Sequence, residues 1–494
     1  TDSMKLKKLI EVLAYPRILN FRDFAIKGVV CDSKSVKEGF VFIAIKGTSQ
    51  DGHCFIDEAI KKGAKAIISQ IGTSECKQPA EKIPENCSWI SVSDTRVALA
   101  KLAAQFYGQP SKKLKVIGIT GTNGKTTISY LIENLLNCAG QQTAVIGTIN
   151  YRFKDKVIPA RNTTPGPLEI QSLLAQIKRG GINYLVMEVS SHALDQERVN
   201  GINFSCAIFT NLTHDHLDYH SNMELYFKAK AKLFKGMPTD AYSIINIDDA
   251  YGRRLLDLAK SKIITYGLTK AASVTARDIR FDINATTFTA STPKADLLIK
   301  SHLIGRHNVY NMLAALSFAL TVDLEPDIII SAIEKFKFVP GRLERVNCGQ
   351  GFSVFVDYAH TDDALKNVLL TLRELAKKRI IVVFGCGGNR DKAKRPKMGK
   401  VASELADFAI VTSDNPRNEE PDDIIKDISR GITRKNYKII PDRKAAIFQS
   451  LKMARPQDII LIAGKGHENY QIFKDRTIHF DDREVVRKCL RSAS

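Results

Sequence analysis

Gly118-Ile-Thr-Gly121-Thr122-Asn123-Gly124-Lys125-Thr126-Thr127 is the stretch on which the reading of this chain turns. Ahead of it, Leu114-Lys-Val-Ile117 is apolar and β-branched, which predicts a strand. Behind it, Ile128, Leu131, Ile132, Leu135 and Leu136 recur at helical spacing, and Gly140 is a helix stop. Strand, glycine-rich turn and helix is the setting of a phosphate loop. Glycines let the backbone approach an anion, and the first N–H groups of the helix favour negative charge. Lys125 would neutralise the β- and γ-phosphates of a nucleotide, and the Thr126 hydroxyl would ligate Mg²⁺. The spacing is shorter than the usual phosphate-loop pattern, because Ile119 stands where a glycine is expected. A tight turn with a chance Gly-Lys-Thr would share the glycines but would not need the flanking elements.

Outward from this loop, 494 residues are too many for one ordinary core and suggest about three domains. Thr1-Asp2-Ser3 ahead of Met4 reads as a remnant before the natural start. No apolar run spans a bilayer, and no signal-peptide pattern is present. Nine cysteines occur without a C-x-x-C pair, which argues against a disulfide framework or zinc ribbon. The formal charge is +20, with basic runs at Lys377-Lys378-Arg379 and between Lys392 and Lys397. Charge of that size suits nucleic acid, small anionic substrates or a merely soluble surface; the motifs favour small anions.

The fold class is α/β in three domains. Residues 1–110 read as a small α/β domain, with helices at Lys5–Leu13, Phe55–Lys62 and Asp94–Tyr107 and strands at Phe40–Ile45 and from Ala66. Its polar turns, Asp32-Ser33-Lys34 and Thr48-Ser49-Gln50-Asp51-Gly52-His53, suit ligand contacts, though each could be a plain turn. Cys76–Cys87 reads as an exposed loop, and Gly108-Gln-Pro110-Ser111 as a linker. Residues 111–338 read as the ATP-binding domain, a mostly parallel sheet. Its strand Tyr184-Leu-Val-Met-Glu188 ends in an acid, the usual place for a Mg²⁺ ligand opposite a phosphate loop. A second strand leads to His214-Asp215-His216-Leu-Asp218-Tyr-His220. That cluster lacks zinc-motif spacing, and hard Mg²⁺ suits it better; His214 and His220 could simply cap elements. Gly305-Arg306-His307-Asn308-Val-Tyr-Asn311 opens a helix whose two asparagines share a face, toward a ligand or as an N-cap.

Residues 339–494 read as a Rossmann-like domain. Four strands there end in polar, glycine-rich turns: Asp357-Tyr-Ala-His360, Gly385 to Asp391, Ser413-Asp414-Asn415-Pro416-Arg417 and Gly464-Lys-Gly-His-Glu468. Ligands bind beyond the carboxyl ends of such strands, so the turns predict one cleft. Gly385-Cys386-Gly387-Gly388 lacks the spacing of a dinucleotide motif, which excludes an NAD reading.

Taken in order, Gly121-Thr-Asn-Gly-Lys-Thr126, Glu188-Val-Ser-Ser-His192, Asp215-His216-Leu-Asp218-Tyr-His220, His307-Asn308-Val-Tyr-Asn311, Gly341-Arg342-Leu-Glu344 and Asp357-Tyr-Ala-His360 resemble the Mur ligase family over essentially the whole chain. Asp414-Asn-Pro-Arg417 and Gly464-Lys-Gly-His-Glu468 resemble its meso-diaminopimelate-adding branch. The resemblance implies an ATP- and Mg²⁺-dependent ligase that makes an acyl phosphate on UDP-N-acetylmuramoyl-L-alanyl-D-glutamate and gives it to the amine of meso-diaminopimelate, in peptidoglycan precursor synthesis. It implies ATP contacts from Gly121 to Thr127, Asn311, Arg342 and Asp357, with Lys125 and Arg342 offsetting phosphate charge. It places Thr126, Glu188 and His216 at Mg²⁺, and matches Lys230 to a carbamylated lysine holding a second ion. Between Lys228 and Lys232, Lys230 could otherwise be a solvated helix lysine. By the same resemblance the nucleotide-sugar meets Ser33, Thr48, Ser49, Gln50, Asn162, Thr163, Thr164, Ser190, Gln196 and Arg198.

The amino-acid choice rests on Arg417. The distal carboxylate that separates diaminopimelate from lysine suits guanidinium pairing with Arg390 and Arg417. Asp414 and Glu468 can receive ammonium, while Asn415, Pro416 and the Gly464 backbone orient. Lys34, Asp362 and the Thr48-Ser49-Gln50 loop depart from the family pattern. A bacterial cytoplasmic monomer, with no membrane insertion and no nucleic-acid partner, is expected. A nucleic-acid-stimulated ATPase, a lysine-adding ligase and a folylpolyglutamate-type ligase are the alternatives.

Overall fold

The computed structural model describes residues 4–47, 50–71, 84–215 and 217–491. Three parallel-rich sheets follow one another along the chain. The first has five strands in the order Arg17–Leu19, Ser88–Val92, Ala64–Gln70, Phe40–Ile43, Gly28–Val30. All are parallel except the edge strand Arg17–Leu19. Val41, Ile43, Ile68 and Ile90 pack against helices Leu6–Ile10 and Thr95–Phe106, while Phe42, Ile67 and Trp89 pack against Ile56–Lys61. The alternation of the two sets is the period-2 rule of a strand buried on both faces. The helix expected over Lys5–Leu13 is only Leu6–Ile10. The stretch expected as a linker is packed: Pro110–Lys113 forms a 3₁₀ turn, and buried Ser111 accepts the Asn203 N–H. Most of the Cys76–Cys87 loop lies outside the described residues, as do Thr48 and Ser49.

The middle sheet has eight strands, in the order Lys262–Tyr266, Tyr242–Asn246, Cys206–Phe209, Lys115–Thr120, Tyr184–Glu188, Thr143–Ile146, Asn150–Phe153, Lys156–Pro159. The first six are parallel and the last two form antiparallel ribbons. Lys115–Thr120 is flanked by Tyr184–Glu188 on one side and Cys206–Phe209 on the other, and the chain leaves it in both directions. That is a topological switch point, where a crevice opens beyond the strand ends. A three-stranded antiparallel sheet, Thr275–Phe281, Thr286–Ser291 and Asp296–Ser301, covers part of one face beside helices Lys125–Cys138 and Arg306–Thr321.

The third sheet runs Glu344–Val346, Ser353–Asp357, Ile459–Ala463, Ile380–Phe384, Phe408–Val411, Tyr437–Ile439. Only Glu344–Val346 is antiparallel. The four strands expected from their apolar runs are adjacent, so their polar ends share one rim. Among the described residues no helix is long and apolar enough to cross a membrane.

Candidate functional site

The phosphate-loop residues occupy the crevice at the switch point. Gly121 and Gly124 have φ +146° and +91°, and added Cβ atoms would sit 1.8 Å from Thr210 Oγ1 and 2.5 Å from Asn311 Oδ1. Glycine is required at both. The neighbouring strand end fixes the loop: Asn211 Oδ1 accepts the Asn123 N–H at 3.0 Å, and Thr210 Oγ1 donates to Asn123 O at 2.6 Å. Lys125 Nζ donates to the loop's own carbonyls, Gly121 O and Thr122 O, each at 2.8 Å. Burial lowers its pKa, opposed by the charges of Glu188 and Asp215.

Glu188 closes its strand, 1% exposed. Its carboxylate accepts from Thr126 Oγ1 at 3.1 Å, from the Thr148 N–H at 2.9 Å and from Thr148 Oγ1 at 2.9 Å. Thr148, which no motif singled out, thus aims the carboxylate. A Cβ on Gly147 would lie 2.4 Å from Glu188 Oε1, so that glycine makes room for the acid. Among the described residues no three His, Cys, Asp or Glu side chains form a metal cluster. The hydroxyl–carboxylate pair Thr126 and Glu188 is nonetheless a hard-oxygen donor set beside an anion loop, which fits Mg²⁺ and not a soft metal. His216 lies outside the described residues.

Lys230 is not a solvated lysine. On helix Met223–Lys235 it is 1% exposed, donating to Gly121 O at 3.0 Å and lying 4.6 Å from the Tyr226 ring centroid. Burial, reinforced by the charge of Lys125, holds its pKa well below the ordinary lysine value. His220 is buried against Tyr226 and bonds Ser191 Oγ at 2.9 Å. His214 and Asp215 line the cleft.

Gly305, at φ +94°, holds the N-cap of helix Arg306–Thr321, so Asn308 is not the cap. Instead Asn308 Nδ2 donates to Ile304 O, and Asn311 Nδ2 donates to Asn308 Oδ1 at 3.0 Å. That turns Asn311 Oδ1 toward Gly124. Asp357 accepts the N–H groups of Leu343 at 2.6 Å and Ala359 at 2.8 Å, which fixes the turn carrying Arg342; burial raises its pKa. Arg342 Nη2 reaches Thr126 Oγ1, and its guanidinium lies 4.8 Å from the Tyr358 ring centroid.

The cleft, about 1390 Å³, runs on to the rim of the third sheet, where Arg390, Asp414, Asn415, Arg417, Gly464 and Glu468 line it. Pro416 does not line it; its carbonyl lies 1.8 Å from where a Gly388 Cβ would sit, so the two turns pack without side-chain space. Arg417 takes a left-handed backbone, φ +53°, and donates from Nη1 to Gly388 O at 2.9 Å. Asp414 and Glu468 do not stand empty-handed, because the ammonium of Lys465 already lies between them. Lys465 was part of a quoted motif, but no role followed from sequence.

Of the nucleotide-sugar set, Asn162, Thr163, Thr164, Ser190 and Arg198 line the same cleft. Arg198 Nη1 donates to Thr164 O at 2.9 Å, and Gln196 Oε1 accepts from Arg198 Nη2 at 2.7 Å, so Gln196 serves as a brace outside the lining. Ser33 and Gln50 do not line it; Ser33 Oγ donates to Glu58 Oε2 at 2.9 Å in the first domain.

Comparison with known proteins gives the family of the chain. The model of the Mur ligase family, catalytic domain matches residues 25–107, the Mur ligase middle domain matches 119–319, and the Mur ligase, glutamate ligase domain matches 341–466. The chain is 46% identical over 485 residues to UDP-N-acetylmuramoyl-L-alanyl-D-glutamate–2,6-diaminopimelate ligase 1 of Clostridium acetobutylicum, covering 98% of each. It is 44% identical over 495 residues to the ligase of that name from Syntrophomonas wolfei, covering 99% of each. A solved structure of a UDP-N-acetylmuramoyl-L-alanyl-D-glutamate–2,6-diaminopimelate ligase superposes with TM-score 0.69 at 34% identity over 95% of both chains. The chain belongs to the Mur ligase family. It is an ATP-dependent ligase with the three-domain α/β architecture of that family.

Proposed function

We propose that the chain joins meso-2,6-diaminopimelate to UDP-N-acetylmuramoyl-L-alanyl-D-glutamate, with ATP converted to ADP and phosphate, as a step of peptidoglycan precursor synthesis. The observation that carries this reading is one cleft holding a phosphate loop at one end and Arg390 with Arg417 at the other. The substrate carboxylate attacks the γ-phosphorus, giving an acyl phosphate and releasing ADP. The amine then attacks the acyl carbon, and the tetrahedral adduct collapses with loss of phosphate and a proton. Both steps gather negative charge, so catalysis is mainly positioning and electrostatics.

Lys125 leaves the carbonyls of its own loop for the β- and γ-phosphates, and Arg342 adds a second positive charge. Thr126 and Glu188, with His216 from its motif, would hold Mg²⁺, which when bound screens the phosphate oxygens. Asn311 and Asp357 serve the nucleoside end. Lys230, whose burial favours the neutral amine, is suited to add CO₂ and release a proton, and its carbamate would hold a second ion. Ser33, Thr48, Ser49 and Gln50 serve the uridine end of the nucleotide-sugar; Asn162 to Thr164, Ser190, Gln196 and Arg198 serve its peptide end. Boundaries near 110/111 and 338/339 fit the packed turn Pro110–Lys113 and the bridged turn Val339 to Arg342. We place the enzyme, as a monomer without a nucleic-acid partner, in the bacterial cytoplasm.

Phosphate release from ATP and Mg²⁺ with the nucleotide-sugar tests this, with meso-diaminopimelate and L-lysine supplied in parallel. Release with amide product only for diaminopimelate is expected. Preference for lysine would overturn the role of Arg417. Stimulation by nucleic acid instead would overturn the whole reading.

A further inference from the structure

Lys465 has a fully buried side chain, an unusual place for an ammonium. Its Nζ donates to Asn415 Oδ1 at 3.0 Å and to Glu468 Oε2 at 3.4 Å, and lies 3.8 Å from Asp414 Oδ1. The Tyr470 ring centroid is 5.6 Å away. Asp414, Asn415, Glu468 and Tyr470 line the cleft, whereas Lys465 stands behind them.

Two consequences follow. The first concerns Asn415. Lysine only donates, so the amide oxygen must face it. That oxygen also accepts the Ile472 N–H at 3.0 Å, and the amide nitrogen donates to Glu468 Oε2 at 2.8 Å. Lys465 and the Ile472 N–H together fix which way Asn415 points, and Lys465 ties the Glu468 carboxylate to it. The second concerns charge. Two carboxylates this deep would share a proton if left together. Burial and the charge of Asp414 raise the Glu468 pKa, and Lys465 opposes them. Lys465 thus sets one basic side chain against two acidic ones, which leaves a place for a single incoming ammonium. Arg443 is the other buried cation near Glu468, and it is paired with Asp482. Tyr358 and Tyr470 feel the charges of both carboxylates, and Tyr470 also those of Arg390 and Arg417.

We infer that Lys465 is a positioning residue for the amine donor: it braces Asn415 and holds the carboxylates of Asp414 and Glu468 in the arrangement that receives one amino-acid ammonium. This rests on the reading of the pocket given under Proposed function.

The test is steady-state kinetics of the full chain between about pH 5.5 and 7, below the ordinary range of an α-amino group and above that of an α-carboxyl group, so that free diaminopimelate keeps its charges. Wild type should show a flat KM for diaminopimelate. Lys465→Met should raise that KM at least about tenfold, and by up to about a further tenfold for each pH unit downward, as Glu468, no longer opposed by Lys465, takes a proton. KM for ATP should stay within about twofold. In Lys465→Met/Glu468→Gln the KM should remain high and lose its pH dependence, because one carboxylate is left. A purely structural role for Lys465 predicts equal, pH-independent losses in both variants and would overturn the inference, as would an unchanged KM for diaminopimelate. Should Lys465→Met not fold, Lys465→Gln carries the same expectations, and an acid limb in the wild-type KM alone would suffice to reject the idea. Wild type that turns over lysine but not diaminopimelate would instead overturn the reading of the pocket.

Discussion

Arg342 Nη2 and Thr126 Oγ1 lie 3.4 Å apart, although 216 positions separate them in the chain. The sheet that holds the amino-acid end of the cleft thus begins with a guanidinium laid on the phosphate loop of the preceding sheet. Thr126 Oγ1 donates onward to Glu188, so the three groups form one line: cation, hydroxyl, carboxylate. The guanidinium is held there by Tyr358 beneath it and by the turn that Asp357 fixes.

Removing that guanidinium should slow the chemical step more than it weakens nucleotide binding. Arg342→Met is expected to lower kcat by about 10²–10³-fold, the usual effect of losing one preorganised donor at developing charge. Arg342→Lys should recover only part, because an ammonium lacks the planar fork. Single-turnover phosphate release measures it; a change confined to KM for ATP would contradict the assignment.

Lys230 should show activity and stability moving in opposite directions. Its folded pKa is depressed by burial, so the folded, unmodified chain holds this proton less tightly than the unfolded chain. The unfolded chain then binds more protons, and this group's contribution to stability rises with pH up to the unfolded lysine value. Lys230→Met removes that cost. Gly121 O keeps the Lys125 donor, so no carbonyl is orphaned. The variant is expected to abolish turnover and to gain on the order of 1–2 kcal/mol. Urea unfolding of CO₂-depleted protein checks the second half.

Burial, with the Arg342 guanidinium nearby, pushes the His467 pKa down to about 3. Between the ordinary histidine value of about 6.5 and that folded value, only the unfolded chain carries the proton. Stability therefore falls as pH drops through this window, by at most about 1.4 kcal/mol per pH unit from this group, and is flat above it. His467→Gln should shallow the acid slope of an unfolding series at pH 6.5, 5.5 and 4.5. An unaltered slope would mean the imidazole titrates normally.

Arg443 and Asp482 form an ion pair with both side chains at 0% exposure, tying helix Arg443–Met453 to the last helix, Asp482–Arg491. Asp482→Asn should cost about 3–5 kcal/mol, because a buried guanidinium is left short of its counter-charge. Arg443→Met/Asp482→Leu should cost less than half as much. A double-mutant cycle on the unfolding transition of the third sheet reads the coupling.

Sequence made the phosphate loop and the strand ends of the third sheet readable, because glycines, apolar runs and polar stops are local signals. The antiparallel sheet from Thr275 to Ser301 went unread, although Asp296–Ser301 alternates exposed and buried along its whole length. Its companion Thr286–Ser291 is mostly threonine and small residues, so hydrophobicity hardly marks it. The solvated alternative for Lys230 rested on its neighbours alone. Positions two apart on a helix point to nearly opposite sides, so Lys228 and Lys232 say nothing about it. Tyr226 and Phe234, four residues to either side, place Lys230 on the buried face. Thr148 and Lys465 were beyond sequence altogether, because each acquires its role only where separate strand ends meet.

Each of the three parallel-rich sheets has both faces covered by apolar clusters, and the cleft is built where those clusters stop. The loops at the amino-acid end therefore lie beyond the apolar cores, and their freedom is at side chains that face the cleft, such as Arg390 and Arg417, not at buried Asn415 and Lys465 or at Gly388, wedged against Pro416. Over evolutionary time such loops can exchange residues, and so drift from one amino acid to another, without melting the scaffold. The phosphate loop has no such freedom, since Gly121 and Gly124 are wedged against Thr210 and Asn311. Lineages built on this plan should diverge at the end of the cleft that selects the amino acid and stay alike at the end that consumes ATP.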